Sequence, residues 1–98
     1  MVAPRVLNDA EIGSALERLD GWRLEDEKLR RDFVFADFVR AFGFMTQVAI
    51  LAERANHHPE WSNVYKRVRI DLMTHESRGI TERDTALAAE IDALVGQP

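Results

Sequence analysis

The sequence contains no cysteine. This absence excludes a disulfide framework, a thiolate nucleophile and a cysteine-ligated zinc site. The sequence also has no apolar run long enough for a membrane helix, and its first seven residues lack the apolar core of a signal peptide. We therefore expect a soluble, cytoplasmic protein that does not associate with membranes.

A concentration of positive charge is also missing. The 13 basic and 17 acidic residues are spread along the chain, with a formal net charge of −4. Because no basic stripe is present to neutralise phosphates, nucleic-acid binding is not expected.

The length of 98 residues indicates one domain, residues 1–98. A domain this small buries only about 60–70% of its unfolded surface, which favours assembly into an oligomer.

Three segments repeat apolar residues at helical spacing. The first begins with a capping box of Asn8 and Glu11 and is expected to stop at Gly21. The second runs from Asp37 to about residue 55, and the third is capped by Thr81. The apolar face predicted for the second helix consists of Phe38, Phe42, Met45, Ala49 and Ala52, widened by Val48 and Leu51.

Alternating segments lie between the predicted helices. Two short strands are expected before the second helix, where Arg31 and Phe33 share one parity. Residues 64–75 alternate as well, apart from Lys66, and predict either one half-buried strand or a bent pair of strands. Hairpin-like strands separated by helices are typical of an α+β fold with an antiparallel sheet and helices on one face.

The three histidines lie within 19 residues of one another, at His57, His58 and His75. Histidine suits proton transfer at physiological pH. Adjacent side chains point to opposite sides of a strand, so the doublet can converge only where the chain is irregular, before Pro59. His75 is expected to point away from the core or to lie in the turn before Gly79.

Three further residues could support these histidines. Glu53 lies in the last turn of the second helix, where it could pair with a protonated His57 or remain a surface glutamate. Trp61 could anchor the core or form a flat wall for an aromatic ligand. Asp84 stabilises the start of the third helix by itself. A zinc site is not favoured, because no H-x-x-x-H or H-E-x-x-H pair is present.

The run AERANHHPEW, residues 52–61, resembles the signature of the pterin-4a-carbinolamine dehydratases. Asn56 departs from the pattern, since several relatives have an acidic residue there. The resemblance extends from about residue 11 to residue 91. Further matching segments are Gly21-Trp22, Phe33-x-Phe35-x-x-Phe38, Ala41-Phe42-x-Phe44-Met45, Asn63-Val64-Tyr65, Thr74-His75-Glu76, Gly79-Ile80-Thr81 and Asp84.

The resemblance implies a four-stranded antiparallel sheet with three helices packed on one face, assembled as a homodimer or homotetramer. It implies dehydration of a pterin substrate, 4a-hydroxytetrahydropterin, to quinonoid dihydropterin and water in tetrahydropterin recycling, with no metal and no cofactor. The family's active-site positions correspond to His57, His58 and His75, with Glu53, Trp61 and Asp84 in supporting places.

Our hypothesis for the chemistry is that His57 and His75 move protons while His58 holds the substrate. Glu53 would accept hydrogen bonds from the pterin or position His57, and Asp84 would orient His75. The alternative is a non-catalytic binding or dimerisation module, because relatives stabilise a transcription-factor dimer or look like assembly factors for a carboxylase. The presence of all three histidines favours catalysis.

Overall fold

The computed structural model describes residues 2–96, which form three α-helices, four β-strands and one short 3₁₀-helix. No helix in this part of the chain is both long enough and apolar enough to cross a bilayer. The elements in chain order are α1 (Asp9–Arg18), β1 (Arg23–Glu25), β2 (Lys28–Val34), α2 (Phe38–Ala55), β3 (Glu60–Val64), β4 (Arg67–Leu72), the 3₁₀-helix (His75–Ser77) and α3 (Glu82–Val95).

The four strands form one antiparallel sheet in the order β1-β2-β4-β3. β1 and β2 make one hairpin, β3 and β4 make the other, and β2 pairs with β4 in the middle of the sheet. Leu29, Ile70 and Leu72 extend from the central strands into the core and are fully buried. The predicted α+β fold, a four-stranded antiparallel sheet with three helices on one face, is confirmed.

The second hairpin explains why Lys66 interrupts the alternation in the sequence. Lys66 lies in the turn between β3 and β4, next to Tyr65, which has a φ of 53°. The side-chain amide of Asn63 donates hydrogen bonds to the carbonyls of Tyr65 and Arg67 at 3.0 and 2.9 Å. These bonds stabilise the turn. The bent pair of strands is therefore the correct alternative.

α2 carries apolar side chains on two sides, and the predicted face mixed the two. Phe38 and Phe42 were predicted to be buried but are 48% and 57% exposed. Both sides have helical spacing, so periodicity cannot show which one contacts the sheet. The buried side consists of Ala41, Phe44, Val48 and Ala52. The exposed side, called the outer α2 face below, consists of Phe38, Val39, Phe42, Thr46, Ala49 and Ile50.

α1 begins as predicted but ends earlier. The Asn8 side chain accepts a hydrogen bond from the amide of Glu11, and the Glu11 carboxylate accepts one from the amide of Asn8, both at 2.9 Å. The helix ends at Arg18, before the predicted stop at Gly21. Gly21 lies in the following turn with a φ of 84°, where a Cβ would come within 2.7 Å of Nε of Arg31. The turn therefore requires this glycine.

Arg31 links the sheet to α3. Its guanidinium donates to Oδ1 of Asp92 at 2.6 Å, and the indole N–H of Trp22 donates to the same oxygen at 2.6 Å. The guanidinium also lies over the ring of Phe33, 4.5 Å from its centroid. A cation can occupy the helix side of the sheet here because it has both a carboxylate and an aromatic partner.

The capping box of α1 leads to a prediction about acid stability. The Arg5 guanidinium and the Asn8 amide lower the pKa of Glu11 from 4.5 to about 2. Because the folded-state pKa lies below the unfolded-state value, the carboxylate stabilises the fold above pH 4.5. This contribution is lost as the pH falls through about 2. We expect Glu11→Gln to unfold at a lower urea concentration than wild type at neutral pH.

The difference between the two proteins should shrink as the pH falls below about 4, since wild type then loses the same contribution. Urea unfolding followed by circular dichroism at a series of pH values measures this. Glu17→Gln, an exposed position of the same helix, is the control and should change the midpoint little. A Glu11→Gln difference that is independent of pH would contradict the prediction.

Candidate active site

The chain reverses direction at the end of α2, and this reversal separates the two adjacent histidines. Asn56 has a left-handed backbone, with φ 52° and ψ 42°, and the amide of His57 donates to the carbonyl of Ala52 at 3.0 Å. Asparagine tolerates this conformation better than most residues, which gives Asn56 a structural role. His57 is buried as a result, whereas His58 remains exposed.

His57 lies against the buried start of α3. Its Nε2 is 2.5 Å from Oδ1 of Asp84, a carboxylate that is 0% exposed. A carboxylate only accepts hydrogen bonds, so Nε2 of His57 carries the hydrogen and donates it. The other oxygen of Asp84 accepts the amide of Thr81 at 2.9 Å and the hydroxyl of Thr74 at 2.8 Å. Both oxygens of this buried carboxylate are therefore hydrogen-bonded, as its burial requires.

His58 pairs with Glu53 on the surface. The distance from Nε2 of His58 to Oε1 of Glu53 is 2.9 Å, and the side chains are 58% and 83% exposed. Of the two alternatives for Glu53, the structure has the surface glutamate and not the pairing with His57. The left-handed residue Asn56 directs His57 towards α3, so the next histidine along the chain is the one that lies beside Glu53.

His75 begins the 3₁₀-helix beyond β4, which is one of its two predicted positions. Its Nε2 lies 3.0 Å from Oε2 of Glu60, whose other oxygen accepts a hydrogen bond from Nζ of Lys28 at 2.9 Å. Glu60 raises the pKa of Lys28 through this bond. The prediction that Asp84 orients His75 is wrong, because the carboxylate of Asp84 bonds to His57.

Hydrogen bonds join the histidine-bearing segments into one cluster. Asp84 connects the end of α2 to α3 through His57, and Thr74 connects Asp84 to the segment that bears His75. His75 is in turn bonded to the first residue of β3. We call this set the histidine cluster: Glu53, His57, His58, Glu60, Thr74, His75, Thr81 and Asp84.

Sequence reasoning missed Thr74, and it did not recognise Glu60 as the partner of His75. The signal that could have found them is their closeness in sequence to the histidines, since Thr74 immediately precedes His75 and Glu60 begins a strand two residues after His58.

Trp61 follows Glu60 on β3, is half-buried and packs against the core. Trp61 therefore acts as a core anchor on the side that faces the helices.

One residue of the cluster, Glu53, borders a concavity on the surface of α2. Beside Glu53, a concavity of about 500 Å³ is lined by Thr46, Ala49, Ile50 and Arg54. Within residues 2–96, no three histidine, aspartate or glutamate side chains are grouped so that they could hold a metal ion. The arrangement provides three imidazoles, each beside a carboxylate, which is suited to proton transfer and to hydrogen bonding of a polar ring.

Comparisons with known proteins agree with this architecture. Residues 5–94 match the family described as pterin 4 alpha carbinolamine dehydratase. A protein of Solibacter usitatus (strain Ellin6076), provisionally named a pterin-4-alpha-carbinolamine dehydratase, is 54% identical over 88 residues, 90% of this chain and 93% of the relative. A protein of Prochlorococcus marinus (strain MIT 9303) with the same provisional name is 53% identical over 89 residues, 91% and 93% of the two chains.

Two solved structures are also similar. A transcriptional coactivator/pterin dehydratase from Brucella melitensis superposes with a TM-score of 0.89 and 46% identity, covering 92% of this chain and 98% of that one. A pterin dehydratase-like protein, described as a RuBisCO assembly factor in the alpha-carboxysome, has a TM-score of 0.67 and 28% identity, covering 80% and 93%.

The fold and the cluster define a small α+β protein with a histidine–carboxylate site at one end of the sheet. The family match covers nearly the whole chain, and the relatives above are matched over most of their own length. This chain belongs to the pterin-4a-carbinolamine dehydratase family.

The buried bonds of Asp84 predict a large loss of stability when its carboxylate is removed. Asp84→Ala leaves His57, Thr74 and the amide of Thr81 without their acceptor, and we expect the free energy of unfolding to fall by about 3–5 kcal/mol. Glu82→Ala, an exposed acidic position in the same helical turn, is the control and should cost less than about 1 kcal/mol. Urea denaturation measures both values, and equal losses would contradict the prediction.

Proposed function

We propose that this chain removes water from 4a-hydroxytetrahydropterin, giving quinonoid dihydropterin in tetrahydropterin recycling. The observation that carries the proposal is the buried pair of His57 and Asp84, which Thr74 connects to the segment that bears His75. His58 follows His57 in the chain, and each of the two exposed histidines lies beside a carboxylate. Membership of the pterin-4a-carbinolamine dehydratase family supports the substrate class. The cytoplasmic location expected from the composition stays a prediction.

The reaction needs two proton movements. The bond between C4a and the hydroxyl oxygen breaks, and the departing hydroxyl takes a proton from an acid. The neighbouring ring nitrogen gives its proton to a base, and a carbon–nitrogen double bond forms. Histidine can act as either acid or base near neutral pH. The pterin loses one hydroxyl and one proton, which leave as water, and two protonatable side chains are enough to transfer the protons.

We assign the proton transfers to His57 and His75 and the holding of the substrate to His58 and Glu53. Nε2 of His57 is bound to Asp84, so Nδ1 is the nitrogen left for proton exchange. His75 is exposed, and its Nε2 lies 3.0 Å from Oε2 of Glu60, which orients the imidazole. His58 and Glu53 are exposed as well and present a donor and an acceptor to a polar ring.

The first test is the rate of 4a-hydroxytetrahydropterin dehydration followed by ultraviolet absorbance. Wild type should accelerate the reaction above its spontaneous rate. His57→Ala and His75→Ala should each lower kcat by about 100-fold, the effect of removing a general acid or base. Glu76→Ala, at an exposed position next to His75, is the control and should retain the wild-type rate.

Two outcomes would overturn the proposal at different levels. No acceleration by folded wild-type protein would exclude the dehydratase function. Acceleration that His57→Ala and His75→Ala both retain in full would leave the enzyme intact and refute the assignment of the protons.

A binding module is the second candidate function. The outer α2 face is a specific observation in its favour, because it exposes two phenylalanines, Val39 and Ile50 to solvent. The similar structures carry titles that include a transcriptional coactivator and an assembly factor. A folded wild-type protein without dehydratase activity that forms a complex of defined stoichiometry with another protein would favour this candidate.

We also propose that a second copy of this chain covers the outer α2 face and gives a homodimer or homotetramer. Gly43 lies one helical turn from Val39, and within the described residues nothing beyond its chain neighbours and the adjacent backbone of α2 comes within 4 Å of the position of its missing Cβ. Glycine costs about 1 kcal/mol relative to alanine inside a helix. Close approach of a neighbouring helix would account for a glycine that this chain alone does not require.

Assembly through this face predicts that a charge in its centre separates the subunits. We expect Phe42→Glu to convert wild-type oligomers to a smaller species, because burying an unpaired carboxylate between apolar faces is costly. Light scattering coupled to size-exclusion chromatography measures the mass. Ser14→Glu, which adds the same charge at an exposed position of α1, should leave the mass unchanged. A monomeric wild type, or an unchanged mass for Phe42→Glu, would contradict this arrangement.

A further inference from the structure

The carboxylate of Asp84 is approached by a directed chain of hydroxyl groups. The hydroxyl oxygens of Thr74 and Thr81 are 2.6 Å apart, and that of Thr74 is 2.8 Å from Oδ2 of Asp84. The amide of Arg83 donates to the Thr81 hydroxyl oxygen at 3.2 Å. All three side chains that form this chain are at most 2% exposed, so water does not compete for these bonds.

The direction of every hydrogen follows from the carboxylate. Asp84 only accepts, so the single hydroxyl hydrogen of Thr74 points to Oδ2. Thr74 must then accept from Thr81, whose oxygen accepts in turn from the amide of Arg83. The hydrogens therefore all point the same way, from the amide of Arg83 through Thr81 and Thr74 to Asp84. In any other arrangement at least one of these contacts would have no hydrogen between its two heavy atoms. The series holds Oδ2 in place and thereby leaves Oδ1 facing His57.

Thr74 also determines where the loop bearing His75 lies. Its amide donates to the carbonyl of Gly79 at 2.9 Å, and its carbonyl accepts from the amide of Ser77 at 3.1 Å. These bonds close the short segment that contains the 3₁₀-helix. One residue therefore contacts the acceptor of His57 through its side chain and supports the position of His75 through its backbone.

We propose that Thr74 is a positioning residue for the reaction, which acts through Asp84 by holding His57 in the tautomer with hydrogen on Nε2. This inference rests on the dehydratase function proposed above. The methyl group of Thr74 fills buried space, whereas its hydroxyl restricts rotation of the carboxylate. Without the hydroxyl, Asp84 has freedom to rotate, and His57 loses its fixed orientation towards the substrate.

The test compares variants that separate the hydroxyl from the volume of the side chain. Thr74→Val keeps the branched shape and removes the donor, and Thr74→Ser keeps the donor. We expect Thr74→Val to lower kcat by about 10-fold or more with KM changed less than about 2-fold. Thr74→Ser should restore kcat to within about 3-fold of wild type. Thr85→Val is the control, because it makes the same change at a threonine whose hydroxyl bonds to the Glu82 carbonyl and not to Asp84.

A spectroscopic readout distinguishes positioning from general destabilisation. The ¹⁵N resonances of the His57 ring should indicate a single tautomer in wild type, Thr74→Ser and Thr85→Val, and a mixture in Thr74→Val. If Thr74→Val does not fold, Thr74→Cys replaces it, since a thiol is a weaker donor and should give a lower kcat than Thr74→Ser.

The inference is overturned if folded Thr74→Val keeps the wild-type kcat and a single His57 tautomer, or if Thr74→Cys equals Thr74→Ser in kcat. Failure of the dehydratase proposal is recognised separately, because wild type would then show no turnover. In that case the ring spectra of His57 still decide whether Thr74 fixes its tautomer.

Discussion

The carboxylate of Asp84 holds together parts of the molecule that are distant in sequence. It caps α3 through the amide of Thr81, fixes the segment that bears His75 through Thr74, and receives His57 from the end of α2. A fully buried carboxylate is stable only while its hydrogen bonds persist, so these segments must be ordered together. The position of His57, that of the segment bearing His75 and the closure of the fold therefore depend on the same interaction.

The ends of the secondary-structure elements position the rest of the site. The left-handed Asn56 stops α2 and turns one histidine of the doublet inward and the other outward. β3 then starts with Glu60, the partner of His75, and its pairing with β4 carries that carboxylate to the same end of the sheet. The rigid sheet and α2 thus support a site whose polar groups lie at element ends, where backbone direction changes within a few residues.

Local signals in the sequence predicted most of the fold correctly. The capping box at Asn8, the cap at Thr81 and the shared strand parity of Arg31 and Phe33 each depend on neighbouring residues, so they could be read without a tertiary structure. The buried side of α2 could not be read in this way. That helix is apolar on two sides, and only its contact with the sheet distinguishes the buried side from the outer α2 face.

The sequence by itself determined the fold class and the family, and it singled out the three histidines, Glu53 and Asp84 of the candidate site, because these follow from periodicity, capping and a dense run of matching residues. Tertiary structure decided which groups pair. Asp84 bonds to His57 instead of His75, and Glu53 bonds to His58 instead of His57. A hydrogen bond between residues 27 positions apart depends on how α2 ends and how α3 packs against it. No local sequence pattern predicts this hydrogen bond, because the two residues come together only when the whole chain has packed.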